Sequence, residues 1–140
     1  MIRPRVLCIC SENCCRTQMA EAFLRDMAGE DFEALSAGAE ATSGLAPEAV
    51  AAMREVGIDI SGYETKKVDP FLRERMSYVI TLCDRQIERT CPLFPGAVWR
   101  LSWPVEDPAT ARTRDEHRLM VRCARDEIRE RVAAFVEANR

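Results

Sequence analysis

The 140-residue sequence is poor in several residue types, and each shortage excludes something. It contains one histidine, His117, in the last helical stretch, so a cysteine–histidine catalytic pair is not expected. Tyrosines number two, Tyr63 and Tyr78. No apolar run approaches the roughly 18 residues of a membrane span. The opening MIRPRVLCIC is too short in its apolar part, and lacks the small-residue cleavage site, for a signal peptide. Charge of one sign is also missing: 20 basic against 23 acidic side chains leave a net charge of −3. That balance argues against a nucleic-acid binder or a polybasic membrane-surface protein. There is no internal repeat, low-complexity tract or convincing linker, so residues 1–140 read as a single domain. What the chain does have is seven cysteines. An odd number speaks against a secreted disulfide framework, and a cytoplasmic location is expected. The thiols then serve as core filler, metal ligands or redox groups.

Short apolar runs alternate with amphipathic ones. Val6–Cys10 is continuous and of strand length, the pattern of a strand buried on both faces. Gln18–Ala28 reads as a helix, with Met19, Ala20, Phe23, Leu24 and Met27 on one face. Phe32–Ala37 reads as a second strand closed by Gly38, and a helix runs from Pro47 to a stop at Gly57. Ser77–Cys83 and Ala97–Trp103 are the third and fourth strands. The last helix spans about Arg114–Ala138, with Met120, Ala124, Ile128, Val132 and Phe135–Val136 inward. This order predicts an α/β fold: a small four-stranded parallel sheet with helices on both faces. Ligands of such sheets bind beyond the carboxyl ends of the strands.

The segment Cys10-Ser-Glu-Asn-Cys-Cys-Arg16-Thr17 sits at such a place. A loop running into a helix start points free N–H groups and the positive end of the helix dipole at one spot, a cradle for a tetrahedral oxyanion. Arg16 adds a planar fork for two oxygens. The same field stabilises a thiolate, and Thr17 has a hydroxyl to donate to it, so Cys10 reads as a nucleophile.

CSENCCRTQMAEAF resembles the catalytic loop of the thioredoxin-coupled arsenate reductases, which share the low-molecular-weight tyrosine phosphatase fold. The resemblance continues through SAG, PEAVAAMREVGIDIS, VITLCD, CP, DPA and RDEI. It implies Cys10 as nucleophile and an oxyanion site built from Ser11, Glu12, Asn13, Cys14, Cys15, Arg16 and Thr17. It implies Asp107, followed by Pro108, as the general acid that protonates the leaving oxygen.

A reductase and a phosphatase share this loop, so electron counting has to separate them. Water suffices to hydrolyse a cysteinyl phosphate. Reducing arsenate takes two electrons, so a second thiol must attack the sulfur of the cysteine–arsenic adduct. The resemblance calls for a third thiol that carries the disulfide to thioredoxin. Cys83 and Cys91 are the candidates, giving Cys10–Cys83 and then Cys83–Cys91. A helix between them would hold their Cα atoms about 12 Å apart, whereas a disulfide needs roughly 4.4–6.8 Å. Oxidation is therefore expected to melt residues 84–90. Gln18-Met19 stands where the phosphatases tend to have proline, and alanine follows Asp107-Pro108 where they often have tyrosine. No bound cofactor is expected; electrons come from thioredoxin.

Some features depart from the reductase pattern. Glu12 stands where glycine is common and is expected to point to solvent. Cys14 replaces a serine and could form an off-pathway disulfide with Cys10. The Cys83–Cys91 interval is one residue longer than is typical. Relatives often have an aspartate near Lys66 which, with positions matching Asn13, Glu21 and Ser36, holds a potassium ion; the Lys66 ammonium is expected to take that ion's place. Cys8 and Cys123 read as packing. Two alternatives stay open: a phosphatase for tyrosine phosphate or a small phosphoester, and a thiol binder of metal or arsenite using Cys8, Cys10, Cys14 and Cys15. The latter is poorly spaced, because Cys8 and Cys10 on one strand lie about 6.6 Å apart.

Overall fold

A computed structural model describes residues 2–41, 44–82 and 96–140. Strands β1 (Arg5–Cys10), β2 (Glu33–Gly38), β3 (Met76–Thr81) and β4 (Ala97–Ser102) form one sheet in the order β2-β1-β3-β4. All three pairings are parallel, as expected. Among the described residues the α-helices are α1 (Arg16–Ala28), α2 (Pro47–Glu55) and α3 (Arg114–Asn139). The apolar run of β1 places it at the centre, where neighbours cover both faces and both edges.

Alternation along β1 divides the interior in two. Val6 and Cys8 face a core shared with α1, α2 and α3, including Met19, Phe23, Met53, Ile128 and Val132. Leu7 and Ile9 face a smaller cluster with Val79, Met76 and Val68. Phe71 and Leu72, in and beside the short 3-10 turn Asp69–Phe71, pack against it. Among the described residues, helical cover thus lies on both faces but unevenly, with α1, α2 and α3 together on one. Phe135 of α3 packs at 5.5 Å from Phe32 and at 4.9 Å, edge-on, from Tyr78. Such pairs add to the area they bury, roughly 25 cal/mol per Å².

Local boundaries differ from the periodic reading where tertiary contacts intervene. Helix α1 begins at Arg16 rather than Gln18, and its first nine residues are buried, Arg16 to Leu24. Its apolar stripe understated how deeply its start is embedded. On α3 the inward stripe starts with Val121, not Met120, which is half-buried. That rotation leaves Cys123 exposed, so it is not the packing residue expected. His117 sits 3.8 Å from Glu48 of α2.

Three carboxyl strand ends, of β1, β3 and β4, meet where the loop begins. The Leu82 N–H donates to the Ile9 carbonyl, and the Trp103 N–H to the Thr81 carbonyl. Gly38, the last residue of β2, lies so close beneath the loop that a Cβ there would sit 2.7–2.8 Å from Glu12 C, Asn13 N and Ser11 O.

Candidate active site

Cys10 is the last residue of β1 and is buried. The Asn13 backbone N–H donates to its sulfur at 3.2 Å, and the Thr17 hydroxyl lies 3.3 Å from it. Asn13 reaches this position with φ at 60°, a left-handed conformation that asparagine adopts more readily than most residues. The Asn13 side-chain amide donates to Thr17 Oγ1 at 2.8 Å, while its Oδ1 accepts from the Lys66 N–H at 2.9 Å. Helix α1 starts immediately after Cys15, whose side chain makes no cap, and its first turn holds no acidic residue. The N–H groups there suit an incoming anion.

Arg16 is buried beside the loop. Its Nη1 donates to the Leu82 carbonyl at 3.0 Å and the Val105 carbonyl at 2.9 Å. Both hydrogens of that nitrogen are thereby used, which fixes the guanidinium plane. The Nε–H and Nη2–H edge is the part left to grip two oxygens at once. Nη2 also lies 3.5 Å from Asp107 Oδ2. Asp107 caps the 3-10 turn Pro108–Thr110 by accepting from the Ala109 N–H at 3.0 Å, and its side chain stays partly open to solvent. The structure thus gathers Cys10, Asn13, Arg16, Thr17 and Asp107 at one strand end.

The neighbouring thiols are held in their neutral form. Burial pushes Cys15 up to about 12, and burial also raises Cys8, with the buried Glu21 adding to it. Cys14 is half-buried and is raised by burial first, then by the negative charge of Cys10, Asp107 and Glu12. Ser11 contributes its carbonyl, which accepts from the Glu40 N–H at 2.8 Å. Glu12 is half-buried rather than turned fully to solvent. Among the described residues, no three His, Cys, Asp or Glu side chains come together as metal ligands. Cys83, Cys91 and the 84–90 interval lie outside the described residues.

Behind the loop, Glu21 is buried and accepts from Ser36 Oγ at 3.0 Å. Its charge is met by Arg25 at 3.3 Å and by the Lys66 ammonium at 3.9 Å. The same ammonium donates to the Glu64 carbonyl at 3.0 Å. Both carbonyl oxygens of Asn13 accept from the Gln18 amide. The oxygens that could surround a monovalent cation thus face nitrogen donors, and the residues present do not fit such an ion.

A family model described as low molecular weight phosphotyrosine protein phosphatase matches residues 5–139. The chain belongs to that family. Within it, the chain is 41% identical to the arsenate reductase of Bacillus licheniformis over 140 residues, covering 99% of each chain. Among solved structures it is similar to an arsenate reductase in the phosphate-binding state, with a TM-score of 0.78, 32% identity, and 96% and 98% of the two chains covered. A thioredoxin-dependent arsenate reductase of Corynebacterium glutamicum superposes with a TM-score of 0.74 at 29% identity, over 97% of this chain and 61% of that one.

Some contributors to this phosphatase-family site are not evident in the sequence. Gly38 is needed only because the loop packs on it, and the carbonyls of Leu82 and Val105 leave no side-chain signal at all. Gln18 had one available: a polar amide in the first turn of a helix, directly followed by Met19 and Ala20.

Proposed function

We propose that this chain reduces arsenate to arsenite, with thioredoxin as the source of electrons. The observation that carries the reading is the Cys10 sulfur facing the Asn13 N–H and the Thr17 hydroxyl, beside Arg16 and Asp107. The full-length similarity to arsenate reductases favours arsenate over a phosphoester.

The Cys10 thiolate attacks arsenic(V) and displaces one oxygen, which leaves as water after taking a proton from Asp107. Arg16 and the N–H groups of α1 hold the remaining oxygens. The Cys83 thiolate then attacks the Cys10 sulfur. The sulfur–sulfur bond forms, the sulfur–arsenic bond breaks, and its electron pair stays on arsenic, which leaves as arsenite. Cys91 attacks Cys83, forming the Cys83–Cys91 disulfide and returning Cys10 as thiolate. A thioredoxin dithiol reduces that disulfide. In this reading the Lys66 ammonium beside Glu21 does the work that a potassium ion does in relatives, and a cytoplasmic location suits the free thiols.

The test is arsenate-dependent NADPH oxidation with thioredoxin and its reductase. Wild type turns over, Cys83→Ser stops at the arsenic adduct, and Cys91→Ser halts after one turnover as a Cys10–Cys83 disulfide. Equal turnover by wild type and Cys83→Ser overturns the relay. No reduction by either, together with hydrolysis of an aryl phosphate, would make the chain a phosphatase.

A further inference from the structure

Gln18 is fully buried at the start of α1. Its Nε2 donates to the Asn13 main-chain carbonyl at 3.1 Å, to Asn13 Oδ1 at 2.9 Å and to the Glu64 carbonyl at 2.9 Å. Two hydrogens thus serve three acceptors. Its other amide atom, Oε1, is buried without a hydrogen-bond partner among the described residues. An orphaned buried acceptor is costly, yet turning the amide over would set Oε1 against three oxygens. The side chain is therefore held in place for its N–H groups.

The consequence runs through Asn13. Gln18 takes both acceptors of that residue, and both of its donors point the other way: the N–H to Cys10 Sγ at 3.2 Å, and Nδ2 to Thr17 Oγ1 at 2.8 Å. Because Thr17 Oγ1 accepts from Asn13, its own proton is free for the Cys10 sulfur at 3.3 Å. The backbone N–H of Lys66 orients Asn13 Oδ1 in the same sense, but it does not reach the main-chain carbonyl that sets the left-handed turn.

We propose that Gln18 is a positioning residue: it anchors a one-directional hydrogen-bond chain, Gln18 to Asn13 to Thr17 to Cys10, that makes Thr17 a donor to the Cys10 thiolate. This rests on Cys10 being the nucleophile. Polarised chains of this kind strengthen each successive bond, and a hydrogen bond to the charged form favours that form.

The test is the pH profile of Cys10 alkylation by iodoacetamide in the reduced full chain, mapped by peptide mass spectrometry, which needs no arsenate. Gln18→Met keeps the shape and removes the donors. It is expected to slow Cys10 alkylation at pH 7 by about three- to tenfold and to move the profile to higher pH. Thr17→Val has a similar effect, and adding Gln18→Met to it changes the rate by less than it does in wild type, since the Thr17 arm is already cut and only the Asn13 N–H is left to position. Gln18→Leu, close in size and without a donor, serves if the methionine variant does not fold, and it lowers the rate likewise. A Gln18→Met or Gln18→Leu profile like wild type overturns the proposal, as do fully additive effects of Gln18→Met and Thr17→Val. A wild-type Cys10 that alkylates no faster than the exposed Cys123 would instead remove the nucleophile reading itself.

Discussion

One nitrogen of Arg16 donates to the carbonyl of Leu82 at 3.0 Å, tying the anion loop to the residue that directly precedes Cys83. The guanidinium is aimed by main-chain oxygens on two separate segments, Leu82 just after β3 and Val105 in the loop that follows β4, rather than by a carboxylate alone. Lysine carries the same charge, but it cannot hold two carbonyls and present a fork at the same time. Arg16→Lys is expected to lower kcat/KM for arsenate by about 10²–10³-fold with the fold retained. Steady-state kinetics and circular dichroism check both parts.

Gly38 supports the loop by lacking a side chain. A methyl group there would meet Glu12 C, Asn13 N and Ser11 O at 2.7–2.8 Å, all main-chain atoms that cannot swing aside. Gly38→Ala is expected to cost about 1–3 kcal/mol of stability and to depress activity more than that loss accounts for, because the displaced atoms include the N–H that faces Cys10. Thermal melts and kcat/KM on the same preparation separate the two effects.

The Lys66 ammonium, 3.9 Å from the buried Glu21, supplies a fixed positive charge behind the loop. Exchanging sodium for potassium at constant ionic strength should leave activity unchanged. A severalfold rise in potassium would mean that the ammonium does not replace an ion there.

Helices α2 and α3 are joined by Glu55, which accepts from Arg122 at 2.6 Å and 3.1 Å and from Arg125 at 2.7 Å. The Arg122 and then the Arg125 hydrogen bonds hold the Glu55 carboxyl down at about 2, below its usual 4.5. A carboxyl depressed on folding stabilises above its unfolded value, and that contribution fades as pH falls from about 4.5 towards 2. The group is at the surface and screened, so the effect is small. Glu55→Gln should lower the Tm slightly at pH 7, and the gap from wild type should narrow as pH falls below about 4.5 and close only near pH 2.

Much of this architecture was legible in residue order. A strand buried on both faces, as Val6–Cys10 is, has to be central in a parallel sheet, and a cysteine, five residues and an arginine between strand and helix give an anion cradle whatever surrounds them. Those inferences rest on local rules: side-chain periodicity, helix-end chemistry and the charge of an arginine. That a relay needs a second thiol also follows from electron counting alone, whereas the choice of Cys83 and Cys91 rests on the resemblance to the reductases. What the tertiary structure decided depends on contacts between residues far apart in the chain. A one-residue rotation of α3 exposed Cys123 and buried Val121. The 46-residue span from Gln18 to Glu64 and the 66-residue span from Arg16 to Leu82 aimed the loop's polar groups. Main-chain carbonyls carry no sequence signature, since every residue has one. Only folding shows which of them a buried arginine or amide will find.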